Sequence, residues 1–443
     1  MNKFEPVIGL EIHIELSTKS KMFCSCSADY FGTGPNTHTC PICLGLPGAM
    51  PKANRLAIEF AQKLALALNC QVQLSSKFDR KNYFYPDLPK GFQISQYDLP
   101  FSQRGFLKIQ TGQGTTKKIE ITRVHLEEDT GKLSHAVVKN RRVTLIDFNR
   151  SGVPLLEIVT EPDLNSALEA KNFSQKLQQI ARYLKISDAD MEKGSMRIEP
   201  NISLREKGSQ GLPNYKVELK NINSFKFAEK AINFEIERQS QLLKSGKTPV
   251  QETRGWNEFK NETFSQRSKE LAHDYRYFPE PDLPPFTFNQ NYISQLIGQL
   301  PELPDSKIER FQKKYRLSSY DIEILTREVD LADYFEEAVK IGEKYNVSTK
   351  QIANMLINQK IDMAETLPTK LVQTIVKSTQ KTQLPQEELE KIIREVLNKN
   401  SKAVTDYKSG KQNAMMFLVG QVMRQITKKV DPKVIRETIA KMI

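Results

Sequence analysis

Within Glu5 to Leu16 the residues alternate from Ile8 onward: Ile8, Leu10, Ile12, Ile14 and Leu16 take one side, Gly9, Glu11, His13 and Glu15 the other. Period two over this length predicts a strand with one buried face and one polar face crowded with metal-ligand and proton-transfer groups. Met196 to Arg205 repeats the pattern, setting Met196, Ile198, Ile202 and Leu204 opposite Arg197, Glu199, Asn201 and Ser203. Helical periodicity interrupts the strands. Ser166 with Glu169 reads as a capping box opening a helix with Phe173, Leu177, Ile180 and Leu184 on one stripe, and a second helix spans Phe225 to Leu243, ended by Gly246. Strands and helices in this arrangement predict an α+β domain with a mixed or antiparallel sheet.

Near residue 290 the composition turns helical, after a segment, Phe278 to Phe288, in which Pro279, Pro281, Pro284 and Pro285 discourage a helix. The expected organisation is therefore a first domain over 1–291, a helical domain over 292–380 and a small helical tail over 381–443, with the polar stretch Ser378 to Pro385 as linker. Helices are predicted at Lys307 to Tyr315, Ser319 to Arg327, Leu331 to Tyr345, Thr349 to Gln359, Gln386 to Asn398 and Gln412 to Thr427. The net charge of +12 is concentrated: from Asn398 to Ile443 ten Lys or Arg face three acids. A surplus gathered in the tail favours a polyanionic partner over a small acidic substrate. No apolar run is long enough to span a membrane and the N-terminus lacks a signal-peptide pattern, so a cytoplasmic protein without membrane association is expected.

Cys24, Cys26, Cys40 and Cys43 read Cys-x-Cys, thirteen residues, then Cys-x-x-Cys: two knuckles of soft ligands that suit a structural tetrahedral Zn²⁺. In a reducing compartment two disulfides are the weaker reading. Cys70 reads as an ordinary buried thiol. His13-Ile14-Glu15 followed by Pro41-Ile42-Cys43 only superficially matches a zinc deaminase, because Thr39 precedes Cys40 where that signature has Pro and four thiolates close the coordination shell. Glu11 and His13 project together, roughly 6.5–7 Å apart along their strand. With Glu127, Glu128, Asp129 and Glu157 elsewhere in the chain, they point to an oxygen-rich site for Mg²⁺. Glu157 interrupts an apolar run, Leu-Leu-Glu-Ile-Val, where an unpaired carboxylate would be costly to bury.

A Walker-type phosphate loop is absent, and Gly112-Gln113-Gly114 lacks a strand-to-helix context. Anion-binding candidates are instead Arg80, Lys81 and Lys90 in the aromatic segment Phe78 to Gln96, Arg150 with Ser151, and Arg197 with Asn201.

Val7 to His13, Phe78 to Gln96, His125 to Lys132, Asp147 to Asp163, Gly194 to Arg205 and Val217 to Phe225 together resemble the B subunit of the aspartyl/glutamyl-tRNA amidotransferase, the GatB family, and the match extends to Gly420-Gln421-Val422-Met423. The resemblance implies a ligase of protein biosynthesis that uses ATP to phosphorylate the side-chain carboxylate of Glu-tRNA(Gln) or Asp-tRNA(Asn). Ammonia then displaces the phosphate. It further implies a heterotrimer with the amidotransferase A and C subunits: the first is the glutaminase that delivers ammonia, and the second is small and braces the other two. A catalytic cradle, a helical domain and a YqeY-like tRNA-binding tail are the implied architecture. By the same resemblance, Glu11, His13 and Glu128 look like Mg²⁺ ligands, with Glu157 a fourth and Asp190 and Glu199 candidates for a second ion. Arg80, Lys81, Asn82, Tyr83, Lys90, Gln93 and Ser95 would contact nucleotide or acyl phosphate. The segment between Asn358 and Thr382 reads shorter than is usual in that family. The competing class is a non-catalytic, zinc-containing RNA-binding module; it explains the cysteines and the basic tail but not the Glu/His strand face.

Overall fold

The computed structural model describes residues 3–112, 114–268, 275–359, 361–379, 385–426 and 430–443. The alternating N-terminal segment forms the strand Phe4–Glu15, in the middle of a nine-stranded sheet among the described residues. From one edge the strands run Glu262–Ser268, Glu252–Asn257, Val217–Lys220, Met196–Glu206, Phe4–Glu15, Pro154–Thr160, Thr116–Glu128, Ser102–Gln110 and Gln71–Val72. Neighbours are antiparallel except Val217–Lys220 with Glu252–Asn257, which are parallel. The expected mixed, mainly antiparallel sheet is what forms.

Its apolar face carries Ile8, Leu10, Ile12 and Ile14 with Ile198, Ile202, Leu156, Ile158, Val124 and Leu126, all buried. Each such side chain contributes about 1.5–3 kcal/mol on leaving water. The helices Arg55–Ala67, Ala167–Tyr183 and Phe225–Lys244 cover this face with Leu64, Phe173, Leu177 and Ile232. Ser166 caps the second helix by accepting from the Glu169 backbone N–H at 3.2 Å. Only half of the expected capping box is present. The Glu169 carboxylate reaches back to the Asn165 N–H (3.0 Å) and Lys117 (2.8 Å), not to Ser166.

The chain divides into two compact units, 1–310 with 327–329, and 311–326 with 330–443. The first extends past the compositional change near 291 because the helix Gln290–Gly298 packs on the sheet domain, where Tyr292 Oη donates to Gln62 Oε1 at 2.8 Å and Ile293 and Leu296 are buried. Helicity changes at 291; the core does not. In the second unit the tail has its own core, Leu389, Ile393 and Val396 against Leu418, Val422, Ile435 and Ile439. Residues 380–384 of the expected linker, with the proposed 380/381 boundary, and Thr427 lie outside the described residues. The other expected helices form as Pro304–Tyr315, Ser319–Leu325, Val329–Gly342, Thr349–Asn358, Gln386–Lys399 and Asn413–Gln425.

Candidate active site

Strand register builds the site. Arg197 pairs with His13, His13 with Glu157 and Glu157 with His125, so side chains from four strands stand in one row on the polar face. The neighbouring rows add Glu199 beside Glu11, and Glu15 and Glu127 on either side of Leu155. The His13 Nε2 atom lies 3.3 Å from Glu157 and 3.9 Å from Glu127, and His125 Nε2 is 3.5 Å from Glu157. Two ligand groups result: His13, Glu127 and Glu157, and Glu11, Glu199 and Glu218, each with donor atoms within 4.8 Å of one another.

The electrostatics of both groups fit a divalent cation. Burial pushes the Glu11 carboxyl up, reinforced by Glu157, Glu199 and Glu218. Burial likewise raises Glu127. Glu157 goes the other way: His125 and the His13 hydrogen bond outweigh its burial and hold it well below the carboxylate range. Burial opposes a proton on His13, yet Glu157 raises it to about 9. Carboxylates gathered this closely repel one another unless cations intervene; Lys220, 2.7 Å from Glu199 and 3.5 Å from Glu218, offsets part of that repulsion in the second group. Asn201 gives its Nδ2 to Glu11 Oε1 at 2.9 Å, leaving Asn201 Oδ1 and His13 Nδ1 buried without a partner. Such orphaned atoms fit a centre that takes oxygen and nitrogen donors.

Glu128 stands apart from these groups. Val124 and Leu126 point to the core, so His125 and Glu127 share the polar face and Glu128 reverts to the other side. There its carboxylate pairs with Lys90 and accepts from the Ile94 N–H at 2.9 Å. Asp190 is likewise outside both groups, capping the turn at Glu192 (2.8 Å) and Lys193 (3.3 Å).

Most of the expected anion-binding cations are occupied by structure. Arg80 makes a two-pronged pair with Glu280 at 2.8 and 2.9 Å and lies over Phe92. Arg150 donates to the carbonyls of Thr130 and Gly131, and Arg197 pairs with Asp129 at 2.6 Å. Ser151 Oγ reaches Cys43 O at 3.5 Å, and Asn82 donates to Arg276 O at 2.8 Å. Gln93 and Ser95 act one step removed: Ser95 Oγ holds Glu127 at 2.9 Å, while Gln93 donates to Glu128 O at 2.7 Å and accepts from Tyr83 at 3.4 Å. Lys81 is different. Among the described residues it makes no ion pair within 4.0 Å; it lies 4.9 Å from the Tyr275 ring centroid and is kept protonated, despite burial, by Glu127, Tyr277 and Glu157.

Beside the metal groups, Glu15 is pushed up to about 8 by burial and by Asp129. Asp129 goes the other way: Arg150 and Arg197 hold its carboxyl below the usual range against the pull of burial. Asp129→Asn is expected to cost about 3 kcal/mol, the low end for breaking a buried pair because Arg197 keeps part of its surface in solvent. Asp129's folded pKa lies below its unfolded value, so the stability it adds is present above roughly pH 4 and is lost as pH falls through the lowered value. Denaturant titrations below pH 4 should therefore show a shallower acid loss in the variant than in the native chain; parallel curves would count against the assignment.

The four cysteines converge as expected, all unbridged, with Cys40 and Cys43 Sγ atoms 3.8 Å apart. A tetrahedron with Zn–S bonds of about 2.3 Å has edges of about 3.8 Å, so the set fits zinc. Hydrogen bonding from Cys24, working against burial, lowers Cys43 to about 5, the direction that favours the thiolate zinc takes. Lys21, fully buried, lies 3.7 Å from it. Gly45 (φ +66) brings this knuckle against Lys90; a Cβ there would sit 2.2 Å from Lys90 Cγ. The knuckle and Lys90 line a cavity of about 200 Å³ together with Arg80, Glu128, Glu280 and Asp282. Cys70 is a buried thiol, raised to about 12 by that burial.

The fold and its polar face are those of a mixed-sheet catalytic domain followed by a helical region, and the comparisons with known proteins give the same class. Residues 6–294 match the GatB/GatE catalytic domain and residues 328–443 the GatB domain. The chain belongs to the GatB family. It is 44% identical to the B subunit of the aspartyl/glutamyl-tRNA(Asn/Gln) amidotransferase of Persephonella marina over 482 positions, covering 100% of each chain. The same-named proteins of Carboxydothermus hydrogenoformans (43%, 99% of this chain and 98% of that one) and Thermotoga maritima (44%, 100% and 99%) are similar to it in the same way. An alignment 482 positions long against 443 residues shows that the chain is tens of positions shorter than the alignment requires.

Sequence reasoning counted Glu127 among the acids of the site but preferred its neighbour Glu128 as the ligand, and it passed over His125, Glu218 and Lys220, the last paired with Glu199 at 2.7 Å. The signal existed for all four. Val124 and Leu126, and Val217 and Leu219, mark the buried side of their strands, and alternation assigns the residue after each of them to the polar face.

Proposed function

We propose that this face is the amide-forming site of a tRNA-dependent amidotransferase. The chain is the B subunit of that ligase class, working with other subunits on misacylated tRNA. In the finer reading, a side-chain carboxylate oxygen of Glu-tRNA(Gln) or Asp-tRNA(Asn) attacks the γ-phosphorus of ATP and ADP departs, leaving an acyl phosphate. Ammonia, released from glutamine by the glutaminase subunit, attacks the acyl carbon, phosphate leaves and the nitrogen loses a proton. The small third subunit braces the assembly, and the basic tail grips tRNA.

The observation that carries this reading is the pair of ligand groups on one sheet face, with Lys81 held charged beside them and, among the described residues, without a carboxylate in ion-pair reach. Glu11, Glu199 and Glu218 would hold one Mg²⁺, and His13, Glu127 and Glu157 another. Bound there, the ions would neutralise charge on the phosphoryl oxygens. Lys81 meets the incoming anion, Tyr83 and Tyr275 limit its freedom, Ser95 fixes Glu127, and Asn201 fixes Glu11. The zinc knuckle is structural. No described helix is long and apolar enough to cross a membrane. A cytoplasmic complex is the reading that family membership supports.

With its glutaminase and bracing subunits, the chain should consume ATP only with Mg²⁺ and misacylated tRNA, and amide formation on each misacylated tRNA in turn reads the amino-acid preference. Lys81→Ala should depress acyl-phosphate formation by about 10²-fold with tRNA affinity little changed. Intact phosphorylation with weakened tRNA binding would make Lys81 an RNA contact. RNA binding with no ATP turnover in the full assembly would favour the non-catalytic zinc module.

A further inference from the structure

Four tyrosine rings form a file that leads from the surface to the active site. Tyr97 and Tyr277 stack with centroids 4.4 Å apart and planes at 10°. Tyr277 meets Tyr275 edge-on at 6.0 Å, and Tyr275 meets Tyr83 at 5.9 Å. The two inner rings flank Lys81, whose ammonium lies 4.9 Å from the Tyr275 centroid and 5.9 Å from that of Tyr83. The outer end is open, with Tyr97 57% exposed.

The backbone beneath these rings is fixed by contacts between distant parts of the chain. Phe278 and Pro279 pair with Arg80 and Asp79, Asn82 N–H donates to Tyr275 O at 2.9 Å, and Tyr97 N–H donates to Asp79 at 2.9 Å. A ring that merely seals a core edge is buried by its neighbours. Tyr97 instead lies flat on one tyrosine and leaves most of its surface in water, the form of an aromatic platform for a planar base.

We propose that the outer face of the Tyr97–Tyr277 stack receives an adenine base. This rests on the functional reading above and extends it, because two adenines belong to those substrates: that of ATP, and the terminal adenosine whose ribose carries the aminoacyl group. Either one, held on the platform, directs its reactive end along the tyrosine file past Lys81 toward Glu127 and Glu157.

The test is Tyr97→Ala in the complete three-subunit assembly. Base–aromatic stacking is worth about 1–3 kcal/mol, so one Michaelis constant should rise roughly tenfold, with kcat and thermal midpoint unchanged and Tyr97→Trp restoring the native value. A rise in the KM for ATP assigns the platform to the nucleotide; a rise in the KM for misacylated tRNA assigns it to the terminal adenosine. If neither constant moves, or if Trp is no better than Ala, the platform is overturned. The native assembly assayed alongside separates the two claims: its inactivity counts against the functional reading, whereas a normal native assembly with an unaffected variant counts against the platform alone.

Discussion

Glu127→Gln is expected to lower amide formation by the assembled enzyme by about 10²- to 10³-fold and to raise the Mg²⁺ concentration needed for half-maximal rate, while Glu128→Gln leaves that Mg²⁺ requirement unchanged. The two residues adjoin in sequence and differ only in the side of the strand they take. Glu127 faces His13 and Glu157 and is held by Ser95, so losing its charge removes a donor from a converging group. Glu128 faces the cavity by the cysteine knuckle, where its partner is Lys90. Glu128→Gln should therefore act through Lys90, altering the cavity wall. Measured Mg²⁺ dependence of the two variants decides the matter; a shifted requirement in Glu128→Gln with none in Glu127→Gln would restore Glu128 as the ligand and refute the assignment made from strand parity.

Cys43→Ser should abolish zinc binding. Metal analysis should fall from about one zinc per chain to near zero, since a three-thiolate remnant with a neutral hydroxyl loses most of a site worth about 10–16 kcal/mol in isolated zinc peptides. The folding penalty is smaller than that figure, because the nine-stranded sheet and its helices do not depend on the knuckle for their core. A fall in thermal midpoint of about 5 °C is expected, with faster proteolysis between Cys26 and Cys40. Part of the cost comes from Lys21, fully buried, which keeps the carbonyls of His38 (2.7 Å) and Phe148 (3.3 Å) but loses the thiolate. Activity should fall too, because Gly45 packs against Lys90. Unchanged zinc content in the variant, or an X-ray absorption spectrum of the native protein lacking four sulfur neighbours, would remove zinc from the account.

Much of the architecture was legible because it is local. Alternation over Glu5 to Leu16 and Met196 to Arg205 anticipated two strands and which face each buries, and the fold makes them neighbours. Ser166 and Gly246 marked helix ends that the structure keeps. The cysteine spacing anticipated a four-sulfur group, since knuckles of three and four residues leave little freedom in where the thiols point. The family resemblance, built on several separated segments, is confirmed by matches that cover the whole chain.

The site was harder to read because its partners are distant in sequence. Arg80 and Arg150 have the composition of anion binders, yet Glu280, two hundred residues on, takes the first, and the carbonyls of Thr130 and Gly131 take the second. Asp190 resembles a ligand in a string of letters and proves to be a turn cap. Glu218 enters its metal group through strand pairing with Asn201, a neighbour that periodicity alone does not name.

By itself, the sequence determined which strand faces are apolar, where the sulfur ligands lie and which family the chain resembles, because side-chain alternation and short spacings are properties of the covalent chain. Only the tertiary structure decided which polar groups meet. Register across Met196–Glu206, Phe4–Glu15, Pro154–Thr160 and Thr116–Glu128 aligned Arg197, His13, Glu157 and His125 in one row, and the same register placed Glu127 inside the site and Glu128 outside it. Hydrogen bonding between strands sets that register, and a shift of one residue would exchange every inward group for an outward one.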